Sequence, residues 1–318
     1  MILVTGGCGY IGSHIVKQLS ELKEDVIVFD NLSHGRKNAL LHNEKLIVGD
    51  ITSEKDLEKA FSIYTFDAVI HLAALVNAAE SVNMRDEYMR VNSFGSKKVW
   101  EVAVRHGVKH LMYASSAAVY GTPTHTNPIR EDDVLKPSNP YGVAKLDGEE
   151  SLRSIVSGVN YLIFRFFNVA GAEAEGRLGQ NRKSRAIMQR GFAVASGQVE
   201  KLIINGHDYP TMDGTVVRDF VHVEDIALAF VLGLNYLRKG GKSQVINLGS
   251  GEDHTIGEVL KEVEIVTGKK LYTKYGPRVD GDIRYSLADI NKARVILGWE
   301  PVSTLKLIVR DGWNAYEK

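Results

Sequence analysis

The chain has 318 residues, of which 44% are hydrophobic and 25% charged, the balance of an ordinary globular protein of about two domains. Lys and Arg total 39 and Asp and Glu total 39, so the formal charge is zero, which argues against a broad basic face for nucleic acid. The single cysteine, Cys8, excludes an intramolecular disulfide and a Cys-rich zinc site. Without a signal peptide or an apolar run that would span a membrane, we expect a cytoplasmic protein that binds neither metal nor membrane.

Short apolar runs alternate with helical patterns along the first half of the chain. Strands are predicted at 2–4, 26–29, 46–48, 68–70 and 111–113, and a helix at 11–22. Continuous apolar strands separated by helices predict an α/β fold with a doubly wound parallel sheet. We expect a cofactor-binding domain over 1–166 and a smaller α/β substrate-binding domain over 167–318. A further strand is predicted at 245–248, and some late segments are expected to return to the first sheet.

Three glycines, Gly6, Gly9 and Gly12, follow the first strand and open the first helix. This spacing permits a tight turn in which backbone N–H groups and the helix N-terminus meet a pyrophosphate. Alone, the spacing is weak evidence, because a simple strand–helix turn is the alternative. Asp30 ends the second strand, where a carboxylate would take ribose hydroxyls and repel a 2′-phosphate, which favours NAD over NADP. Asp30 as a turn cap, and Asp50 as an adenine contact or a helix N-cap, remain open at this point.

Tyr141 and Lys145 lie one helical turn apart, after a helix-start pattern at 138–140. A nearby ammonium group would favour the phenolate of Tyr141, which could then act as a base. Ser115 and Ser116 end a predicted strand and offer a hydroxyl for the same substrate oxygen. A solvated helix face is the alternative for a lone Tyr-x-x-x-Lys pair.

These features are part of a longer series of segments that match one known protein family. The chain resembles the extended short-chain dehydrogenases/reductases, which share the Rossmann fold, and among them the UDP-glucose 4-epimerases. The runs that carry the resemblance are 5–14, 30–32, 115–121, 141 with 145, 167–172, 208–215, 217–223, 281–282 and 297–299.

The resemblance implies an isomerase of nucleotide-sugars with tightly bound NAD. Tyr141 would take the proton of the sugar 4-hydroxyl while hydride moves to nicotinamide, and return of hydride to the other face of a 4-keto intermediate would invert carbon 4. By position, Ser116, Tyr141 and Lys145 would be catalytic. The implied cofactor contacts are Gly6, Gly9, Tyr10, Ile11, Gly12, Asp30, Asn31, Asp50, Ile51, Leu72, Ala73, Ala74, Asn92, Tyr141 and Lys145. The implied UDP-hexose contacts are Ser116, Tyr141, Asn168, Arg218 and Asp282, and a homodimer would form through segments near 86–106 and 140–156.

Several substrate positions depart from the family pattern. Ala186, Asn205 and Val279 stand where the family usually has an Asn-containing segment, an aromatic residue and an Arg. Arg278, or the basic residues Arg182, Lys183 and Arg185, would then serve the diphosphate. Ser286 would leave room for an N-acetyl group at the sugar 2-position.

Three other functions are weighed against epimerisation. A 4,6-dehydratase needs an acid and a base beside Ser116, where the chain has Ala117 and Ala118. A nucleotide-sugar decarboxylase would need a partner for a substrate carboxylate, which the residues near Arg182 could supply. A non-catalytic NAD(H) sensor would have no need for Tyr141 and Lys145.

Overall fold

The computed structural model describes residues 1–155, 158–278 and 283–318. The strands in these ranges are β1 Ile2–Thr5, β2 Val26–Asp30, β3 Lys45–Val48, β4 Ala68–His71, β5 His110–Ser116, β6 Asn160–Phe166, β7 Asn168–Ala170, β8 Leu202–Asn205, β9 Val217–Arg218, β10 Phe220–His222, β11 Gln244–Leu248, β12 His254–Thr255, β13 Thr273–Gly276 and β14 Tyr285–Ser286.

The α-helices alternate with the strands in the first half of the chain. They are α1 Tyr10–Glu21, α2 Glu54–Ile63, α3 Ala78–Ser81, α4 Arg85–Tyr88, α5 Ser96–Arg105, α6 Pro140–Ile155, α7 Ile187–Ala195, α8 Val223–Arg238, α9 Ile256–Thr267, α10 Asn291–Leu297 and α11 Leu305–Glu317. A π-helical segment, Met89–Gly95, joins α4 to α5. None of the helices in the described ranges combines the length and the apolar character needed to cross a membrane.

The central sheet has seven strands in the order β11-β6-β5-β4-β1-β2-β3, and all of its pairings are parallel. The chain starts in β1, winds outward to β3, and then crosses back to β4 on the other side of β1. In such a sheet, ligands bind where the winding reverses, outside the carboxyl ends of the strands. The prediction of a doubly wound parallel sheet is confirmed.

Side chains of the buried strands alternate between the two faces of the sheet. In β1, Ile2 and Val4 join one hydrophobic cluster and Leu3 joins another. The first cluster contains Phe230 of α8, and the second contains Trp100 of α5. Because both faces are covered, consecutive positions in the inner strands are mostly apolar, which explains the continuous apolar runs of the sequence.

The C-terminal part has a separate core and smaller sheets. Pairing of β7 with β10, of β9 with β12 and β14, and of β8 with β13 forms these sheets. The core of this part is the third hydrophobic cluster of the protein, which includes Phe192, Val259 and Tyr316. Strand β11 nevertheless pairs with β6 in the central sheet, so a segment well beyond residue 166 is part of the larger unit.

Candidate active site

Functional side chains gather at one edge of the central sheet. Thr5, Asp30, His71 and Ser116 are the last residues of β1, β2, β4 and β5. The carboxyl ends of parallel strands lie at the same edge, so the sheet brings together residues that are far apart in sequence.

The turn between β1 and α1 depends on its glycines. Gly6 has a φ of +71°, a conformation that other residues rarely adopt. A Cβ on Gly12 would lie only 2.2 Å from the carbonyl oxygen of Gly6, and one on Gly6 would lie 2.6 Å from the nitrogen of Ala73. Helix α1 begins after Gly9, and within the described residues no side chain caps its N-terminus. The N–H groups of this turn, including those of Tyr10 and Ile11, therefore form a cradle that suits an anion such as a pyrophosphate.

Asp30 supports this turn from β2. Its Oδ2 accepts a hydrogen bond from the Cys8 N–H at 3.0 Å, and its Oδ1 accepts one from the Leu32 N–H at 2.8 Å. The structure therefore gives Asp30 the cap role that the sequence left open. Each carboxylate oxygen can accept a second bond, so contact with ribose hydroxyls is compatible with this role.

Asp50 is held by its neighbours in the same way. It accepts from the Thr52 N–H at 2.8 Å and from the Asn31 side-chain amide at 3.0 Å. Burial opposes its ionisation, but the hydrogen bonds from Thr52 and Asn31 and the charge of Arg90 lower its pKa. Ile51, which follows, is buried.

The loop after β4 is fixed from two sides. The N–H groups of Leu72 and Ala73 donate to the Thr5 carbonyl at 3.0 Å and to the Thr5 hydroxyl at 3.4 Å. After Ala74, the fully buried Asn92 side chain accepts from the Leu75 N–H and donates to the Leu75 carbonyl, both at 2.8 Å. Asn92 thus shapes the loop itself.

Ser116, Tyr141 and Lys145 come together where α6 crosses the end of β5. Ser116 Oγ accepts from the Ala118 N–H at 3.2 Å. Burial raises the pKa of Tyr141, and a side-chain hydrogen bond with Ser116 acts in the opposite direction. This is an arrangement in which the phenol can exchange a proton with a bound hydroxyl group.

Lys145 is only 3% exposed. Its Nζ donates to the Ala114 carbonyl at 2.8 Å and lies 4.9 Å from the centre of the Tyr113 ring. Burial lowers the pKa of Lys145 to about 7, and the negative charge of Glu149 opposes that shift. A lysine in this range is sensitive to any charge brought beside it.

Glu149 and Arg165, which the sequence analysis did not single out, form a buried ion pair behind these residues. Two signals in the sequence could have found them. Glu149 continues the helical face of Tyr141 and Lys145 at four-residue spacing. Arg165 is a charge inside an otherwise apolar strand, and a charge is almost never fully buried unless it is paired.

The predicted substrate residues lie on the smaller sheets next to this edge. Asn168 begins β7 and is exposed. Arg218, on β9, donates through Nη1 to the carbonyls of Val217 at 2.9 Å and Ile283 at 2.5 Å. Ser286, on β14, pairs with Arg218 and is 8% exposed. Asp282 lies outside the described residues, as does Val279.

The other departures from the family pattern can be placed more fully. Arg278 donates to Asp208 Oδ1 at 2.7 Å, and its guanidinium lies 4.2 Å from the centre of the Tyr209 ring. Arg278 is therefore already paired with Asp208 and Tyr209, which weakens its case as a diphosphate partner. Ala186 is the N-cap of α7, and Asn205 ends β8.

The buried histidines have structural partners. His71 lies between the hydroxyls of Thr5 and Ser96, at 2.6 and 2.9 Å, and burial followed by the charge of Lys145 holds its pKa well below the usual range. Burial lowers the pKa of His14 to about 4, and its Nδ1 lies 2.7 Å from the Tyr10 carbonyl oxygen. In the part of the chain that the structure describes, no group of His, Cys, Asp and Glu side chains is arranged to hold a metal ion.

Known proteins resemble the chain over its whole length. Residues 2–249 match the NAD dependent epimerase/dehydratase family. A UDP-glucose 4-epimerase of Halalkalibacterium halodurans is 39% identical over 321 residues, covering 100% of this chain and 96% of the relative. The crystal structure of UDP-glucose-4-epimerase from Stenotrophomonas maltophila with bound NAD and formylated UDP-arabinopyranose is 33% identical, with a TM-score of 0.95 over 99% of this chain and 97% of that one. The UDP-Glc/GlcNAc 4-epimerase from Campylobacter jejuni is 34% identical, with a TM-score of 0.87 over 99% and 98%.

Proposed function

The chain belongs to the NAD dependent epimerase/dehydratase family, and we propose that it is an NAD-dependent nucleotide-sugar 4-epimerase that interconverts UDP-glucose and UDP-galactose. One observation carries the proposal: Tyr141 and Lys145 of α6 meet Ser116 at the sheet edge that also holds the glycine turn. The full-length similarity to UDP-glucose 4-epimerases supports the choice of sugar nucleotide.

NAD is the cofactor, and the residues present fit it. The glycine turn leaves no room for side chains and presents the N-terminus of α1, and Asp30 stands at the end of β2 for the ribose. When bound, NAD supplies the acceptor and donor of the two electrons that carbon 4 of the sugar loses and regains. We propose that the cofactor contacts are those given above from the resemblance, and that Asp30 performs its supporting and binding roles together.

Tyr141 would carry the proton of the sugar 4-hydroxyl. Burial alone would keep its phenol protonated, because it raises the pKa. The hydrogen bond with Ser116 and a positive charge on Lys145 favour the phenolate. Since the pKa of Lys145 is about 7, the lysine is partly charged near neutral pH in the absence of ligands.

We propose that Asn168, Arg218 and Asp282 hold the nucleotide-sugar, with the Arg218 guanidinium on the diphosphate. A small residue at Ser286 would leave space for an N-acetyl group, so the N-acetylated sugar pair is a second substrate class to test. The resemblance to the Campylobacter jejuni UDP-Glc/GlcNAc 4-epimerase supports that test.

The chemistry beside Ser116 favours epimerisation over dehydration. Ala117 and Ala118 follow Ser116 in a short 3₁₀ turn, and an alanine side chain can neither give nor take a proton. A sensor would not need Lys145 buried at a cost to its charged form. Decarboxylation would require a positively charged partner for the substrate carboxylate. The candidate for that role, Arg182, has its guanidinium 5.4 Å from the centre of the Tyr316 ring in the C-terminal part.

The remaining predictions concern assembly and location. We propose a homodimer formed through the segments near 86–106 and 140–156. The apolar Phe94, on the first of them, is 58% exposed and would be covered in such a dimer. We also propose a domain boundary at residue 166, although β11 pairs with β6 in the first sheet, and a cytoplasmic location. Sedimentation of the purified protein would measure its assembly.

The first experiment uses purified protein without added cofactor. It is incubated with UDP-galactose, and UDP-glucose is followed by proton NMR. Conversion supports the proposal, and Tyr141→Phe should lower the rate by at least about 100-fold while retaining NAD. Absence of conversion, with NAD released on denaturation, would contradict the proposed sugar and leave the cofactor assignment standing.

A further inference from the structure

A buried ion pair lies directly behind the catalytic side chains. Glu149 of α6 is fully buried, and Arg165 of β6 is 1% exposed. Arg165 donates to Glu149 Oε1 through Nε at 2.9 Å and to Oε2 through Nη2 at 2.7 Å. Ser115 Oγ donates to Glu149 Oε1 at 2.6 Å. We call Ser115, Glu149 and Arg165 the Glu149 cluster.

The Glu149 cluster holds the segment around Ser116 from both sides. Ser115, which precedes Ser116 on β5, donates to the carboxylate of the ion pair. Tyr120, which closes the short turn after Ser116, accepts a hydrogen bond on its hydroxyl from Arg165 Nη1 at 2.9 Å. Ser116 therefore lies between two residues that are each bonded to one member of the same pair.

The cluster also fixes the helix that carries the other two catalytic residues. Lys145 donates to the Ala114 carbonyl, and Glu149, one turn later on α6, accepts from Ser115. Two successive turns of α6 are thus joined to two successive residues of β5. These bonds set how α6 lies against the end of β5, and with it the separation of Ser116 from Tyr141.

Stability alone is a poor explanation for this ion pair. Removing two charges from water is costly, and apolar side chains of similar volume often hold such a site as well or better. A carboxylate that is hydrogen-bonded in fixed directions instead specifies one arrangement of the elements it joins. Building on the proposed function, we propose that Glu149 is a positioning residue, which acts through Ser115 and Arg165 to fix Ser116 against Tyr141 and Lys145.

Glu149 has an electrostatic effect on the same site. The ionisable groups around the Lys145 ammonium are Tyr113 of β5, His71 of β4 and Glu149 of α6. Burial raises the pKa of Tyr113 and lowers that of His71, so these two groups remain neutral. Glu149 is then the negative charge that sustains the protonated form of Lys145.

A matched pair of variants tests the positioning role. Ser115→Ala and Arg153→Gln each remove one hydrogen bond to Glu149 and leave the pair with Arg165 in place. Only Ser115 lies on β5 beside Ser116, whereas Arg153 is a partly exposed residue farther along α6. We measure kcat and KM for UDP-galactose by NMR, together with the melting temperature of each variant.

Ser115→Ala should lower kcat by roughly 10- to 100-fold, because a small misplacement of reacting groups has effects of this size. Its KM should stay within about twofold of the wild-type value, since the nucleotide contacts are untouched. Arg153→Gln should leave kcat within about twofold. Equal effects of the two variants on kcat, or no effect of Ser115→Ala, would overturn the inference.

A second measurement does not depend on which sugar is converted. The ε-carbon of Lys145 is titrated by NMR in ¹³C-lysine protein, and its signal is assigned by its loss in Lys145→Met. Glu149→Gln should lower the titration midpoint of Lys145. If this variant does not fold, Glu149→Met combined with Arg165→Met removes both charges together, and the midpoint should still fall, because Glu149 is the charge that raises the pKa of Lys145.

An unchanged Lys145 midpoint in the variant that folds overturns the electrostatic part of the inference, even if the wild type converts UDP-galactose. A shifted midpoint in a protein that converts no UDP-sugar supports the electrostatic part of the inference and refutes the proposed function. The two failures are therefore distinguishable.

Discussion

Replacement of Lys145 by methionine is expected to raise the free energy of unfolding at neutral pH while it removes turnover. The expectation follows from the position of the ammonium group, which is almost fully buried and bound to one backbone carbonyl. Burial lowers the pKa of Lys145 from its ordinary value of 10.5 to about 7. The folded chain therefore releases a proton that the unfolded chain retains.

The size and sign of the effect follow from proton linkage. One pKa unit corresponds to about 1.4 kcal/mol, so burial of the Lys145 ammonium lowers the free energy of unfolding by roughly 5 kcal/mol below pH 7. Methionine removes that cost but leaves the Ala114 carbonyl without its donor, a loss of about 1–3 kcal/mol. The net gain is about 2–4 kcal/mol near pH 6.5. Because the depressed pKa makes the wild type more stable as the pH rises from 7 to 10.5, the gain should fall to about zero near pH 9.5.

The assay is urea unfolding of cofactor-free protein at pH 6.5 and 9.5, so that changes in NAD affinity do not enter the comparison. Lys97→Met is the matched control, because the Lys97 side chain is 54% exposed on α5. It should change the free energy of unfolding by less than about 0.5 kcal/mol at either pH. A Lys145→Met protein that is destabilised equally at both pH values would refute the reasoning.

Three further predictions concern the cofactor and substrate sites. Gly12→Ala should purify without NAD, because its Cβ would lie 2.2 Å from the Gly6 carbonyl oxygen, whereas Gly191→Ala in α7, whose Cβ would approach other atoms no closer than 3.4 Å, should retain NAD; equal NAD content in both contradicts the cradle. Asp30→Ala should weaken NAD binding, measured by calorimetry, by at least about 10-fold, because it removes the ribose acceptor and the bond to the glycine turn; unchanged affinity contradicts both roles. Ser286→Tyr should abolish conversion of UDP-N-acetylglucosamine while retaining that of UDP-glucose in the NMR assay, and equal loss of both conversions contradicts a size limit at this position.

The sequence was most informative where the structural cause is local. A glycine turn, a carboxylate at a strand end and a Tyr–Lys pair at one helical turn can be recognised from spacing alone, since backbone geometry fixes their relation. The parallel sheet and NAD as cofactor were predicted on this basis and are confirmed. The roles of the individual site residues stay predictions, although the structure brings Ser116, Tyr141 and Lys145 together.

The contacts of the predicted substrate residues were harder to predict, because they join segments that are far apart in the sequence. Arg278 was a candidate for the diphosphate, yet it pairs with Asp208, 70 residues away. Among the cofactor residues, the Asn92 side chain bonds to the backbone of Leu75, and its contact with NAD stays a prediction. No spacing rule connects such partners, because loops rather than helical or strand periodicity bring them together.

The sequence by itself determined the type of sheet, the glycine turn and the residue types available for the chemistry. Only the tertiary structure decided the burial, the charge partners and the pKa shifts of those residues. Burial against β5 lowers the pKa of Lys145 to about 7. The Glu149–Arg165 pair forms because β5 and β6 place Ser115 opposite Arg165, where both reach Glu149 of α6. A side chain's desolvation and charge partners depend on which elements pack over it, and that is a property of the folded chain.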